Sequence, residues 1–340
     1  MGRKTKQNHL TSPELLEQVN PENLRLLDDF LDYLKSTGRS AGTIKGYRND
    51  CEIFFVWCLQ HANNKYFIDI SKRDIVAYQN WLISSNENSP ARIRRLKSAL
   101  SSMSNFVEAI LDDEYPGFRP IVRKIESPVN QPVREKTVLT DEQCDTLLQV
   151  LVDKGQYEKA CCVALALFSG RRKAELLRFK VSYFTDENIM YGSLYRTPEK
   201  ILTKGRGGGK MLTCYVLSKP FKPYLDLWLK ERQEKGVESE WLFPDPDDPS
   251  KARSISALNS WANTFSRILD IPFYFHSCRH RWTTALAESG IPDDVIQQIA
   301  GWSTLDLVQV YKDLDPLDSL GRYFQDGEIV AAKPGTLQGL

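Results

Sequence analysis

Apolar residues recur every three or four positions through the first third of the chain, which is the spacing of amphipathic helices. Four such stripes occur, and cap-forming residues precede two of them: Ser40 precedes the second, and Ser71 with Asp74 precedes the third. Four amphipathic helices joined by short loops predict a small all-helical domain. The stripes span residues 24–34, 44–58, 75–82 and 93–110.

Prolines at 116, 120, 128 and 132 and a glycine at 117 interrupt this pattern, which predicts a linker. A second domain then opens with Thr140 and Gln143, spaced as a capping box. Its pattern is helical to about Phe179, and short strands follow within residues 188–217, around a glycine-rich tip at 205–209 that is typical of a β-hairpin. Further helices are predicted at 221–235, 254–269, 277–290, 292–300 and 303–312.

The predicted fold is therefore mainly α, with a four-helix N-terminal domain and an α+β domain that holds a small antiparallel sheet. The expected order is a polar, frayed tail over 1–20, the helical domain over 21–114, a linker over 115–138, the α+β domain over 139–325 and a flexible tail over 326–340.

Composition narrows the range of functions. The net charge of the 340 residues is +1, so any nucleic-acid surface must be a local basic patch. The seven cysteines include no C-x-x-C pair, which argues against a zinc site or a disulfide framework and for a reducing interior. Cys51 and Cys58 lie one heptad apart, so we expect them to pack in the core. The first residues lack the apolar core of a signal peptide, and no apolar run is long enough to span a membrane. We expect a cytoplasmic protein.

Three short segments carry candidate chemistry. In the first, Arg172 follows a glycine at the end of an apolar helix, and Glu175 lies three residues on, where it could hold an arginine in place. In the second, His276 and Arg279 are three residues apart and share a helix face. In the third, Trp302 precedes Tyr311 by nine residues. Each segment alone also fits an ordinary structural role.

Taken together, these segments suit the cleavage of a phosphodiester. The transition state concentrates negative charge on the phosphate oxygens, and arginine stabilises that charge with a planar pair of donors that does not deprotonate. A nucleophile must attack in line, and a general acid must protonate the departing oxygen.

In order and spacing the segments resemble the tyrosine recombinase family, also called the phage integrases. The family pattern G-x-R-x-x-E-L is matched by residues 170–176, and H-x-x-R is matched by His276 and Arg279. A Gly-His or Gly-Trp pair with a tyrosine nine residues later is matched by Gly301, Trp302 and Tyr311. The resemblance covers about residues 22–320, including the N-terminal helices, which resemble the family's core-binding domain. Most members have histidine at the position of Trp302. Tryptophan is a hydrogen-bond donor only, so this position cannot shuttle a proton.

The resemblance implies a mechanism without metal, ATP or other cofactor. Arg172, Arg279, His276 and Trp302 would bind the scissile phosphate, and Tyr311 would attack it to form a 3′-phosphotyrosine. A hairpin lysine would protonate the 5′-oxygen. Lys204 matches the family position better than Lys210, which is left as the alternative or as a DNA contact.

Double-stranded DNA is the partner that the resemblance implies, held by a C-shaped clamp of the two domains. Four copies would assemble on two sites and exchange strands through a Holliday junction. Two basic stretches of the helical domain are expected to lack acidic neighbours and are predicted to contact DNA. The predicted DNA-binding residues are Arg39, Lys45, Arg48, Arg92, Arg94, Arg95, Lys97 and Lys210.

Two other functions remain open at this point. A type IB topoisomerase shares the chemistry but religates the same strand, and a DNA-binding regulator derived from a recombinase would have lost a catalytic group. About twenty residues precede the first helix, so we expect no separate arm-binding domain. The target site and the choice between integration, excision and resolution are not encoded in these motifs, although a mobile genetic element and a nucleoid location are expected.

Overall fold

A computed structural model describes residues 10–84, 88–129, 139–203, 209–311, 324–325 and 328–329. The described residues up to 129 belong to one compact unit, and those from 139 onward belong to a second. The predicted fold class, mainly α with a small antiparallel sheet, is confirmed.

The first unit is a bundle of helices around one apolar core. The four predicted helices are present, and the expected caps form: the Ser40 hydroxyl accepts a hydrogen bond from the Thr43 amide, and Ser71 and Asp74 cap each other. Cys51 and Cys58 are fully buried in the core, as the heptad spacing predicted. The helices are α1 (Pro13–Leu16), α2 (Pro21–Ser36), α3 (Ala41–His61), α4 (Lys72–Ser84) and α5 (Pro90–Ile110).

This core extends beyond the limits that the sequence suggested. The expected frayed tail is wrong for its described part, because α1 forms there and Val19 is buried. Part of the expected linker also belongs to the unit, since Val122 is 2% exposed and packs in the same core. Single apolar residues between prolines have no periodicity, so the sequence pattern could not reveal them. The remaining domain boundaries stay a prediction.

The second unit is mixed. Its helices are α6 (Asp141–Asp153), α7 (Tyr157–Ser169), α8 (Lys173–Leu176), α9 (Ser218–Glu234), α10 (Ile255–Leu269), α11 (Phe275–Glu288), α12 (Asp293–Ala300) and α13 (Asp306–Tyr311). Its strands are β1 (Ile189–Met190), β2 (Leu194–Arg196), β3 (Ile201–Thr203), β4 (Lys210–Leu212), β5 (Tyr215–Leu217), β6 (Phe324–Gln325) and β7 (Glu328–Ile329).

Short antiparallel pairings organise these strands. A three-stranded sheet has the order β1-β2-β5, and β3 pairs with β4 so that Thr203 lies opposite Lys210. This pairing flanks the predicted hairpin tip, whose residues 205–208 lie outside the described part. Within the predicted flexible tail, Glu328–Ile329 pairs with β6; the other residues of that tail lie outside the described part, and its flexibility stays a prediction.

Helix α7 is the centre of the second unit. Every residue from Ala160 to Ser169 is buried, and α9 and α11 pack against it. The helix ends at Gly170, whose φ of +61° is left-handed. A side chain there would be strained in this conformation and would collide with the indole ring of Trp282. The buried helix therefore fixes the position of Gly170, two residues before Arg172.

The close approach of Gly170 to Trp282 predicts a stability difference between two alanine variants. Gly155 has nearly the same φ, +62°, but open space around it. Both Gly155→Ala and Gly170→Ala meet the backbone cost of about 1–2 kcal/mol. Gly170→Ala should lose about 1–3 kcal/mol more, because the new methyl group is forced into packed side chains. Urea unfolding followed by tryptophan fluorescence measures both losses, and equal losses would show that the Trp282 contact is not limiting.

Candidate active site

Arg172 is held at its base by Glu175. Arg172 is the N-cap residue of α8, and the Glu175 carboxylate accepts hydrogen bonds from its backbone amide (3.1 Å) and from its Nη1 (3.1 Å). Glu175 is 1% exposed, whereas 32% of the Arg172 side chain remains accessible. The geometry orients a guanidinium that a ligand can still reach, in the arrangement that the i, i+3 spacing suggested.

Arg279 is fully buried and reaches two different segments. Its Nη1 donates to the carbonyl of Gly170 (2.8 Å) and its Nη2 donates to the carbonyl of Ala300 (3.1 Å). Its guanidinium lies 4.7 Å from the ring centre of Trp302, a cation–π distance. Each Nη of an arginine carries two hydrogens, so a guanidinium can bind a backbone carbonyl and a phosphate oxygen at the same time.

A second arginine, Arg171, repeats this arrangement one residue earlier on each side. Its Nε donates to the carbonyl of Ser169 (3.3 Å), and its Nη2 donates to the carbonyl of Ile299. We call Arg171 and Arg279 the arginine clasp, because together they join the carboxyl end of α7 to the carboxyl end of α12. The sequence interpretation assigned no role to Arg171, since nothing in its spacing distinguishes it from a surface residue beside Arg172.

His276 lies in the first turn of α11, exposed to solvent, with its ring centre 5.4 Å from that of His280. Partial burial of the imidazole, followed by the positive charges of His280, Arg279 and Arg172, lowers the pKa of His276 to about 4. The imidazole is therefore neutral near pH 7 and can accept a proton.

The third motif lies at the end of α12. Gly301 terminates that helix with a φ of +71°, and Trp302 follows it, 6% exposed. The Leu212 side chain at the end of β4 occupies the space where a side chain on Gly301 would be. The β3–β4 hairpin therefore contacts the corner that leads into α13. That helix ends at Tyr311, whose side chain lies outside the described residues.

Of the two candidate general acids, the structure describes only Lys210. Lys204 lies outside the described residues. Lys210 is exposed at the start of β4. The structure thus brings together Arg172, His276, Arg279 and Trp302, and it leaves the choice of lysine a prediction.

Several basic residues of the first unit that were predicted to bind DNA make contacts within the protein. Lys97 is 4% exposed, and its ammonium donates to the carbonyls of Ile125 (2.7 Å) and Glu126 (3.1 Å). This geometry fits a structural tie and does not support a DNA contact. Arg94 is exposed, and its Nε donates to the carbonyl of Pro128 (3.3 Å).

The expectation that these stretches lack nearby acids is wrong, because acids come from adjacent turns and helices. Arg92 and Arg95 share the buried carboxylate of Asp50, at 2.8 and 3.1 Å. Arg48 pairs with Asp28 at 2.7 Å. Arg39 is half-buried and Lys45 is exposed.

Within the described part of the chain, no group of three or more histidine, cysteine, aspartate or glutamate side chains is arranged to hold a metal ion. Of the helices that the structure describes, none has the length and apolar character needed to cross a bilayer.

Comparison with known proteins identifies the family. The sequence model of the phage integrase family matches residues 137–317, which is just over half of the chain. The chain belongs to the phage integrase family. A second model, the N-terminal SAM-like domain of phage integrases, matches residues 26–117. The family assignment made from the motifs is therefore confirmed, and with it the class of enzyme: a tyrosine-type DNA recombinase.

Individual relatives agree with this assignment. The chain is similar to the SPbeta prophage-derived recombinase-like protein YomM of Bacillus subtilis (30% identity over 67% of this chain and 66% of that protein). It is also similar to the tyrosine recombinase XerD of Oceanobacillus iheyensis (22% identity over 84% of this chain and 92% of that protein). A solved lambda integrase tetramer bound to a Holliday junction shares the fold, with a TM-score of 0.61 and 17% identity over 92% of this chain and 82% of that one.

The electrostatics of His276 in this integrase predict an unusual titration. The chain has four histidines, so imidazole signals in an NMR titration can be assigned with the variant His276→Gln. Without DNA, the His276 signal should titrate well below the ordinary value of about 6.5, because partial burial, and then three positive neighbours, disfavour the protonated imidazole. Bound DNA should raise the midpoint, since a phosphate favours the charged imidazole. A midpoint at or above about 6.5 without DNA would contradict the described environment.

Proposed function

We propose that this integrase cuts and rejoins DNA strands at a specific site through Tyr311, in a pocket formed by Arg172, His276, Arg279 and Trp302. One observation carries the proposal. The Arg279 guanidinium belongs to the second motif and donates to Gly170 of the first and to Ala300, beside Gly301 of the third. Gly170 lies 109 residues from Arg279 and Ala300 lies 21 residues from it, so the three motifs meet at one positive group, as a single phosphate site requires.

The chemistry follows from the groups at this site. The Tyr311 oxygen attacks the phosphorus, the bond from phosphorus to the 5′-oxygen breaks, and a 3′-phosphotyrosine forms. Neutral His276 accepts the tyrosine proton, and Lys204 supplies a proton to the departing 5′-oxygen. Arg172 and Arg279 stabilise the charge on the non-bridging oxygens. The phosphotyrosine conserves the bond energy, so the 5′-hydroxyl of another strand reverses the step and joins the strands without ATP.

DNA contacts are proposed for the basic residues whose guanidinium or ammonium groups can reach solvent. Lys97 is omitted because its ammonium already binds two backbone carbonyls. Asp50 neutralises one of the two charges of Arg92 and Arg95, so this pair brings a net charge of +1 to the surface rather than +2. The proposed contacts are Arg39, Lys45, Arg48, Arg92, Arg94, Arg95 and Lys210.

Assembly is proposed from likeness alone. The lambda integrase tetramer on a Holliday junction supports four copies of this chain acting on two DNA sites. The match of residues 26–117 to the SAM-like domain of phage integrases favours recombination over topoisomerase-type relaxation or gene regulation. A mobile-element origin fits the similarity to a prophage-derived protein, and a nucleoid location follows from a DNA substrate.

The nucleophile is tested by covalent trapping. Protein is incubated with fragmented DNA of its source, denatured and recovered, and the attached DNA is sequenced to define the site. On that site, Tyr311→Phe should abolish the covalent complex, because phenylalanine has no oxygen to attack with. DNA affinity should change by less than about tenfold, since one hydroxyl contributes about 0.5–1.5 kcal/mol.

The matched control is Tyr191→Phe, because Tyr191 is 87% exposed in the turn between β1 and β2. This variant should form the covalent complex at the parent rate. Covalent DNA on Tyr311→Phe would exclude Tyr311 as the nucleophile. Relaxation of arbitrary supercoiled DNA without strand exchange would favour the topoisomerase alternative.

A further inference from the structure

Arg171 has an environment that its position beside the candidate catalytic arginine does not explain. It is 1% exposed, and no carboxylate lies within ion-pair distance of it among the described residues. Its Nη1 has no hydrogen-bond partner in that part of the chain. Burial of a guanidinium without a counter-ion is costly, so a core that needed only packing would place an apolar residue here.

The hydrogen bonds of Arg171 connect two distant segments. The carbonyl of Ser169 belongs to the last residue of α7, and the carbonyl of Ile299 lies 128 residues further along, at the end of α12. Both acceptors are terminal helix carbonyls, which carry partial negative charge and offset part of the cost of burial. Cys214, between β4 and β5, also contacts the guanidinium.

The two bonds of the arginine clasp to α12 go to consecutive carbonyls. Arg171 holds Ile299 and Arg279 holds Ala300. A helix end held at one carbonyl can still rotate about that bond, whereas two adjacent bonds also fix its rotation. Gly301, Trp302 and α13 follow directly, so the rotation of this helix end sets the direction in which the chain runs to Tyr311.

We propose that Arg171 is a positioning residue for the nucleophile: it fixes the carboxyl end of α12 against the turn that carries Arg172. Arg279 supplies the other half of the clasp and also belongs to the proposed phosphate pocket, whereas the guanidinium of Arg171 donates to the two helix ends. Arg171 keeps the helix end in place independently of the phosphate. The inference rests on the proposed function of Tyr311.

The test compares three variants of the full chain. Arg171→Met removes the donors and keeps the approximate length of the side chain, and Arg171→Lys keeps one charged donor. The control is Arg232→Met. Arg232 is also buried, at 5% exposure, and also donates only to backbone carbonyls (Ser239, Trp241 and Leu242). It lies near Glu158 in the first turn of α7, about 20 Å along that helix from Arg171.

Two measurements are made on each variant. Amide hydrogen exchange without DNA should become faster over residues 301–311 in Arg171→Met and stay at the parent rate there in Arg232→Met. With DNA at saturation, the rate of covalent complex formation per folded molecule should fall about ten- to a hundredfold in Arg171→Met, the scale expected for a displaced nucleophile. DNA affinity should stay within about threefold, Arg171→Lys should recover part of the rate, and Arg232→Met should match the parent.

The outcomes separate this inference from the proposed function. Unchanged exchange over 301–311, or an unchanged cleavage rate in Arg171→Met, overturns the positioning role. A loss that appears in affinity rather than in rate also overturns it, since it would place Arg171 on the DNA. If the parent forms no covalent complex, the proposed function fails, whereas the exchange measurement still decides whether Arg171 holds the segment.

Discussion

The structure of the second unit depends on two guanidinium groups placed between the carboxyl ends of two helices. Arg171 and Arg279 donate to the last carbonyls of α7 and α12, groups that have no acceptor role left within their own helices. The helix carbonyls need hydrogen-bond donors, and the buried arginines need negative charge nearby. The helix ends supply part of that charge. Left-handed glycines then turn the chain away from both helix ends, toward Arg172 on one side and Trp302 on the other.

This arrangement gives the candidate site its electrostatic character. Partial burial and the nearby charges of Arg279 and Arg172 disfavour a proton on His276, while the buried carboxylate of Glu175 is engaged with Arg172. Such a site favours the binding of an anion. A phosphate would relieve the repulsion among the positive groups, so substrate binding and a rise in the pKa of His276 are linked. A histidine that is neutral before DNA arrives suits a proton acceptor for tyrosine.

Sequence patterns predicted residues whose side-chain type the chemistry requires. They missed residues whose role depends on contacts with distant parts of the chain. Arg172, His276 and Arg279 were predicted because phosphodiester cleavage needs such side chains and because their spacing matches the family pattern. No role was predicted for Arg171, because its acceptors are backbone carbonyls up to 128 residues away. Every residue has a backbone carbonyl, so the sequence does not show which of them bind an arginine. For the same reason Lys97 was predicted to bind DNA, although its ammonium binds carbonyls of the following segment. Local charge counting also missed that Asp50 on α3 neutralises part of the charge of Arg92 and Arg95 on α5.

The central claim is that the clasp and the phosphate pocket form one unit, in which the nucleophile is delivered by a fixed helix end. The most direct test is an experimental structure of the covalent complex between this chain and its DNA site. We expect phosphorus bonded to the Tyr311 oxygen, with donors of Arg172 and Arg279 within hydrogen-bond distance of its oxygens. We also expect the Arg171 bonds to Ser169 and Ile299 to be intact. A phosphate bound to another residue, or a complex in which Arg171 has left Ile299, would contradict it.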